Sequence, residues 1–198
     1  MLHGGRVALL SFGAMQYSFS HFDTLIQGFL KSHLALHERI VDVGPGTGKF
    51  SDLLGEYSLD AIEIYTPYID QWNLRQKYKK IHVCHIADFD FAHHGYQTYI
   101  FGDVLEHLSV HEAQKVLSGV FRSGARAFVA VPYLYEQGDV RNNQNERHLQ
   151  PDLTPDLVLQ RYSSLHLLHR DQRYGLYTGP TDWVQRQEIP FKKRINHL

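Results

Sequence analysis

The segment Asp42-Val-Gly-Pro-Gly-Thr-Gly48 constrains this chain more than any other, because three glycines alternate with other residues between a β-branched run at 39–44 and a helical pattern. In residues 49–57 the apolar side chains Phe50, Leu53, Leu54 and Tyr57 share one helical face, so the local order is strand, glycine turn, helix. Glycine in such a turn lets a ligand approach the backbone closely. The helix beyond offers free N–H groups and a positive dipole end to a carboxylate or phosphate. The loop therefore reads as a ligand cradle. A dinucleotide fingerprint would need its third glycine where Lys49 stands. A phosphate-binding P-loop would need glycine at Val43 and Ser or Thr at Phe50.

The alternation continues along the chain. Residues 22–34 carry an apolar helical stripe, with Phe22, Leu25, Ile26, Phe29, Leu30 and Leu34. Strands are expected at 59–64, 81–86, 98–101 and 127–131, with a helix at 67–79. Ser109 and Glu112 have capping-box spacing and open a helix bearing Val116, Leu117, Val120 and Phe121. Thr154-Pro155-Asp156 caps a last helix at 157–162, and strands at 165–169 and 174–178 close the chain. Alternating strands and helices imply an α/β fold with a parallel sheet. The polar segment 133–152 is too long for a simple connector, which marks it as functional or disordered.

With 20 basic and 21 acidic residues in 198, the whole-molecule field neither draws nor repels nucleic acid, so nucleic acid is not the expected partner. Two short basic clusters, 75–80 and 192–194, read as solvated helix faces or tails. Cys84 is the only cysteine, in the apolar run 81–86, which excludes an internal disulfide and fits a cytoplasmic protein. The apolar stretch 7–10 is too short for a signal core or a membrane span, so no membrane partner is expected.

The loop with Asp42, Gly44, Gly46 and Gly48 resembles motif I of class I S-adenosylmethionine-dependent methyltransferases. The resemblance extends over roughly residues 38–135. Glu63 stands at the end of the second strand, where the family's acidic residue takes both ribose hydroxyls. Asp88-Phe89 follows the third strand, matching an acidic residue that meets the adenine amino group and an apolar neighbour on the ring. Gly102-Asp-Val-Leu-Glu-His-Leu108 follows the fourth strand and looks like motif IV. The resemblance implies a doubly wound, mostly parallel seven-stranded sheet with helices on both faces and the last strand antiparallel. It implies S-adenosylmethionine as cofactor, S-adenosylhomocysteine as product, and cofactor contacts from Asp42, Gly44, Pro45, Gly46, Gly48, Glu63, Ile64, Asp88, Phe89 and Asp103. A single methyltransferase domain over 1–198 is expected, as monomer or homodimer. It would have a helical lead-in at 1–37, a cofactor half at 38–135, and a substrate-side loop, helix and closing strands at 136–198.

Methyl transfer from a sulfonium is an in-line displacement, so a base is needed only where the acceptor carries a proton. Candidates are Asp103, Glu106, His107 and His148, with Tyr133 beside them. The favoured reading of Glu106-His107 is a packed strand-to-helix turn with no metal. The alternative is that Asp103, Glu106, His107 and His148 hold a divalent ion such as magnesium or manganese. Similar Glu-x-x-Glu-His patterns occur in small-RNA 2′-O-methyltransferases and ubiquinone-biosynthesis O-methyltransferases, although Asp103 is one carbon shorter than their first acid. No Asn/Asp-Pro-Pro-Tyr motif follows strand four, and Cys84 in mid-strand does not suit a carbon-5 pyrimidine mechanism. The loop's Asn142, Asn143, Asn145, Glu146 and Arg147 suit a polar small-molecule acceptor, a sugar or hydroxylated metabolite. A non-catalytic cofactor-binding subunit, a metal-assisted RNA 2′-O-methyltransferase and a nicotinamide enzyme remain as alternatives.

Overall fold

The computed structural model describes Ser20, residues 22–140 and residues 142–181. The short apolar stretch at 7–10 and the basic cluster at 192–194 lie outside the described residues. Seven strands, β1 (Ile40–Val43), β2 (Leu59–Glu63), β3 (Ile81–Val83), β4 (Thr98–Gly102), β5 (Arg126–Pro132), β6 (His166–Arg170) and β7 (Tyr174–Gly179), form one sheet in the order β3-β2-β1-β4-β5-β7-β6. Neighbours from β3 to β5 are parallel, whereas β7 pairs antiparallel with both β5 and β6. The final strand is thus inserted between two older neighbours.

Alternation along the central strands divides the core in two. Val41, Val43, Tyr99, Phe101, Val129 and Val131 point to one layer, with Ala113, Val116, Leu117 and Val120 of helix α6 (Val110–Arg122) packed on them. Ile40, Ile100, Phe128 and Ala130 point the other way. That face is covered by α1 (Asp23–His33), α2 (Lys49–Leu53) and α3 (Thr66–Gln71) through Ile26, Phe29, Leu30, Phe50 and Ile69. Strands buried on both faces read as continuous apolar runs, and here the period of two decides which layer each residue joins.

The capping box at Ser109 and Glu112 is fully formed. The Ser109 side chain accepts from the Glu112 N–H, and the Glu112 carboxylate accepts from the Ser109 N–H at 3.0 Å. Thr154 caps α7 (Pro155–Arg161) as its spacing predicts. The helix expected at 67–79 is instead two pieces, α3 and α4 (Leu74–Lys77), because Asn73 between them adopts a left-handed φ of 52°. Phe91–His94, for which the sequence carries little periodicity, forms a single helical turn, α5, capped by Asp90. Among the described residues no helix is long and apolar enough to cross a membrane.

The third strand is shorter than its apolar run. It ends at Val83, and Cys84 is therefore half-buried on a cleft beyond the strand instead of lying within it. Burial raises its thiol pKa, so it is no activated nucleophile.

Candidate active site

The glycine loop rises from the C-terminal end of β1, where parallel sheets of this kind bind ligands. The Gly44 N–H still bonds the Ile62 carbonyl at 2.9 Å, and the chain then turns through Gly44, Gly46 and Gly48 at φ of 61°, 53° and 83°. Left-handed φ at alternate positions is why the segment needs glycine. A Cβ on Gly44 would also sit 3.0 Å from Cγ2 of Val104. Gly44, Pro45 and Gly46 line a cleft of about 490 Å³. Gly48 turns away, against the Lys77 and Leu74 side chains, and starts α2. Asp42 lies beneath the loop, buried, with Oδ2 accepting the Tyr78 hydroxyl at 2.5 Å. Burial pushes its carboxyl up to about 7, against the Tyr78 hydrogen bond and Lys49.

Glu63 closes β2 and faces the same cleft, only 5% exposed. One carboxylate oxygen accepts the Tyr65 N–H at 2.7 Å. Burial raises its pKa to about 7, and the Glu146 charge adds to the rise. Ile64 lies beside it on the lining.

Asp103, Glu106 and His107 stand on the turn after β4. Asp103 takes a φ of 56°, its N–H bonded to the Ala130 carbonyl and its Oδ1 accepting the Tyr174 hydroxyl at 2.6 Å. Glu106 is 1% exposed, and neither of its carboxylate oxygens has a hydrogen-bond partner among the described residues. Burial first, and the Asp103 charge second, hold its pKa well above the usual carboxylate range.

The long segment 133–152 is ordered and folds across this turn. The Leu149 and Gln150 N–H groups donate to the Glu106 carbonyl at 2.8 and 3.1 Å, and the buried Gln150 amide donates to the Leu105 and Leu108 carbonyls. Within the segment His148 N–H bonds the Gln137 carbonyl, and the Gln137 side chain returns to the Glu146 carbonyl. This places Tyr135, Asn143, Asn145, Glu146 and His148 on the cleft. Tyr68 of α3 hydrogen-bonds Asn143 and Glu146, tying the second strand's side of the cleft to the loop.

His107 and His148 meet edge to face, centroids 4.7 Å apart. His107 Nδ1 bonds the Arg147 carbonyl at 3.2 Å and His148 Nδ1 the Tyr135 carbonyl at 2.8 Å. A carbonyl only accepts, so the His148 Nδ1 carries the proton and its Nε2 keeps a lone pair, while the His107 ring donates among the Arg147, Glu146 and Asp103 carbonyls. Burial lowers both pKa values, that of His107 to about 4 with His148 adding to the drop, so both rings are neutral.

Of the residues singled out in the sequence, Gly44, Pro45, Gly46, Glu63, Ile64, Asp103, Glu106, His107 and His148 come together on one cleft. Asp42 and Gly48 support its floor. Asp88 and Phe89 are off the lining. His85 caps a tight turn over Ile86–Asp88, which leaves Asp88 exposed. Phe89 is buried against His82, His94 and Tyr96. His85 and Ile86 occupy the cleft wall expected of them. Tyr133 also differs, since its hydroxyl bonds Tyr177 at 2.5 Å and Tyr135, one alternation on, is the aromatic at the cleft. Tyr68 had no signal in the sequence beyond a helical position.

A glycine loop after β1, an acid ending β2 and an antiparallel β7 between β5 and β6 define the class I methyltransferase fold. Solved structures carry the same likeness. The N-terminal domain of EvdMO1, crystallised with S-adenosylhomocysteine, matches at a TM-score of 0.60 and 13% identity over 82% of both chains. An S-adenosylmethionine-dependent methyltransferase from Clostridium acetobutylicum matches at 0.58 and 9%, over 79% of this chain and 88% of that one. The 1,6-didemethyltoxoflavin-N1-methyltransferase of Burkholderia thailandensis, with its substrate and S-adenosylhomocysteine bound, matches at 0.55 and 14%, over 81% and 78%. At such identities the likeness is one of fold. No protein-family model matches the sequence, and no curated protein matches it.

Proposed function

We propose that this protein is an S-adenosylmethionine-dependent methyltransferase that methylates a hydroxyl oxygen of a polar small molecule, a sugar or hydroxylated metabolite. The observation that carries the reading is the cleft itself, in which the glycine loop and Glu63 share one wall with an acidic and imidazole cluster further along. A volume of about 490 Å³ suits a ligand of this size. Glu63, Glu106 and Glu146 line the cleft with carboxyl groups that ionise against a sulfonium and ammonium charge, whereas the diphosphate of a nicotinamide dinucleotide would oppose their ionisation. Structural neighbours crystallised with S-adenosylhomocysteine support the same choice.

In this reading the Gly44–Gly46 backbone receives the amino-acid end of the cofactor, and the buried Asp42 supports that loop from beneath with its negative charge when ionised. Glu63 takes the ribose hydroxyls and Ile64 packs on the base. The cofactor supplies an electrophilic methyl, whose bond to sulfur breaks with the electron pair staying on sulfur as the bond to the acceptor oxygen forms. Asp103, Glu106, His107 and His148 surround the acceptor hydroxyl, whose proton passes to His148 as the methyl arrives. The neutral imidazoles leave lone pairs for that task. The loop carrying Asn143, Asn145 and Glu146 covers the cleft and excludes water.

Calorimetric titration with S-adenosylhomocysteine and, separately, NAD tests this. Micromolar binding of the first, weakened about tenfold or more in Glu63→Ala, is expected. Failure to bind it, or preference for NAD, would sink the proposal. For the acceptor end, unchanged turnover in His148→Ala would remove that residue from the site.

A further inference from the structure

We infer that Glu106, His107 and His148 form a binding site for one divalent transition-metal ion. Each of the three offers a donor atom, and these atoms lie within 4.8 Å of one another. Ligand atoms held about 2.0–2.2 Å from one tetrahedral ion stand about 3.3–3.6 Å apart, so side-chain adjustments of up to about 1 Å close the shell.

Three independent features point to a cation. The Glu106 carboxylate is 1% exposed with both oxygens unpartnered among the described residues, an arrangement that costs free energy unless a cation enters. Both imidazoles are oriented by main-chain carbonyls at Nδ1, as metal-bound histidines are by their hydrogen-bond partners, and in His148 this presents Nε2 as the ligand nitrogen. Asp103 and Glu146 add negative charge around Glu106.

Two imidazoles and one carboxylate favour zinc, cobalt, iron or manganese over magnesium or calcium, which prefer all-oxygen shells. Asp103, engaged by Tyr174, stays outside the donor set. The remaining coordination positions open to the cleft. Water fills them, or a hydroxyl oxygen of the acceptor, which the ion then acidifies in place of the imidazole lone pairs it occupies; this last role rests on the methyltransferase reading.

The test uses the full chain, stripped with a chelator and titrated with Co²⁺ while visible d–d absorption and heat are followed. One Co²⁺ per chain is expected, at about micromolar Kd. Glu106→Gln and the pair His107→Ala/His148→Ala should each weaken binding by about tenfold or more, and the exposed His166→Ala should leave it unchanged. Glu106→Gln keeps the shape of an unpartnered side chain, so it folds even where the histidine variants do not. Circular dichroism verifies this. Absence of a one-to-one site, or binding that survives Glu106→Gln in folded protein, would overturn the inference. S-adenosylhomocysteine titrations on the same samples keep the two readings apart. Homocysteine-ligand binding without Co²⁺ binding overturns the metal site alone, and Co²⁺ binding without it supports the site while removing the methyltransferase.

Discussion

The rings of His107 and His148, one from the turn after β4 and the other from the long loop, stand edge to face at an interplanar angle of 75°. His107 Nδ1 reaches the Arg147 carbonyl and the Leu149 N–H reaches the Glu106 carbonyl, so main-chain groups beside the two rings join turn and loop. Gln150, two residues past His148, adds a side-chain tie, its amide reaching the carbonyls on either side of the Glu106-His107 pair.

Gln150→Ala should therefore act on both stability and site. It removes the Gln150 partner of the Leu108 carbonyl and the Tyr162 hydroxyl, and leaves the Leu105 carbonyl with only the Leu108 N–H. A loss of about 2–3 kcal/mol in urea unfolding is expected. A value within the scatter of surface substitutions would show that the loop is anchored elsewhere.

Cofactor binding should depend on pH through Glu63. In the unliganded protein its pKa stands at about 7, and the ribose contact needs the carboxylate. S-adenosylhomocysteine affinity should fall about tenfold between pH 8 and pH 6, with a proton released on binding. Glu63→Gln should flatten the profile, and a profile left unchanged would assign the titration to Asp42, which also stands at about 7.

The stability of the unliganded fold should run in the opposite direction. Carboxyls at Asp42 and Glu63 whose folded pKa is raised are stable when protonated, so their cost appears as pH rises from the unfolded value through about 7. The lowered pKa values of His107 and His148 add stability as pH rises to about 6.5, so the decline in thermal unfolding midpoints should show between pH 6.5 and pH 8. Midpoints that rise over this range would contradict the burial of these two groups.

Two glycine-to-alanine changes should differ in sign. Gly44 has positive φ and only 3.0 Å to Val104, so Gly44→Ala should cost about 1–3 kcal/mol and weaken S-adenosylhomocysteine. Gly28, inside α1 with nothing within 4 Å of an added Cβ, should gain about 0.5–1 kcal/mol as alanine. Equal effects in thermal unfolding would show that loop geometry does not set the cost.

Ser109→Ala removes one arm of the capping box and exposes the first turn of α6. About 1 kcal/mol of stability should be lost. Chemical denaturation with matched m-values checks it, and no loss would mean that packing of Val116 and Val120 alone holds the helix.

The order of strands and helices, the glycine loop, the capping box and Glu63 at the end of β2 were all legible in the sequence alone. They are local, written in periodicity, capping spacing and turn chemistry within a few residues of one another. Tertiary structure decided the rest. Strand β3 ends early, so the next turn carries Ile86 to the cleft and turns Phe89 toward His82 and His94. Tyr135 and not Tyr133 reaches the site, a choice the strand's alternation leaves to where the chain departs from β5. His148 meets Glu106 and His107 only because the long loop folds back through main-chain hydrogen bonds to the Glu106 carbonyl. Such contacts join residues distant along the chain, and no local pattern of side chains encodes which loop atom meets which turn.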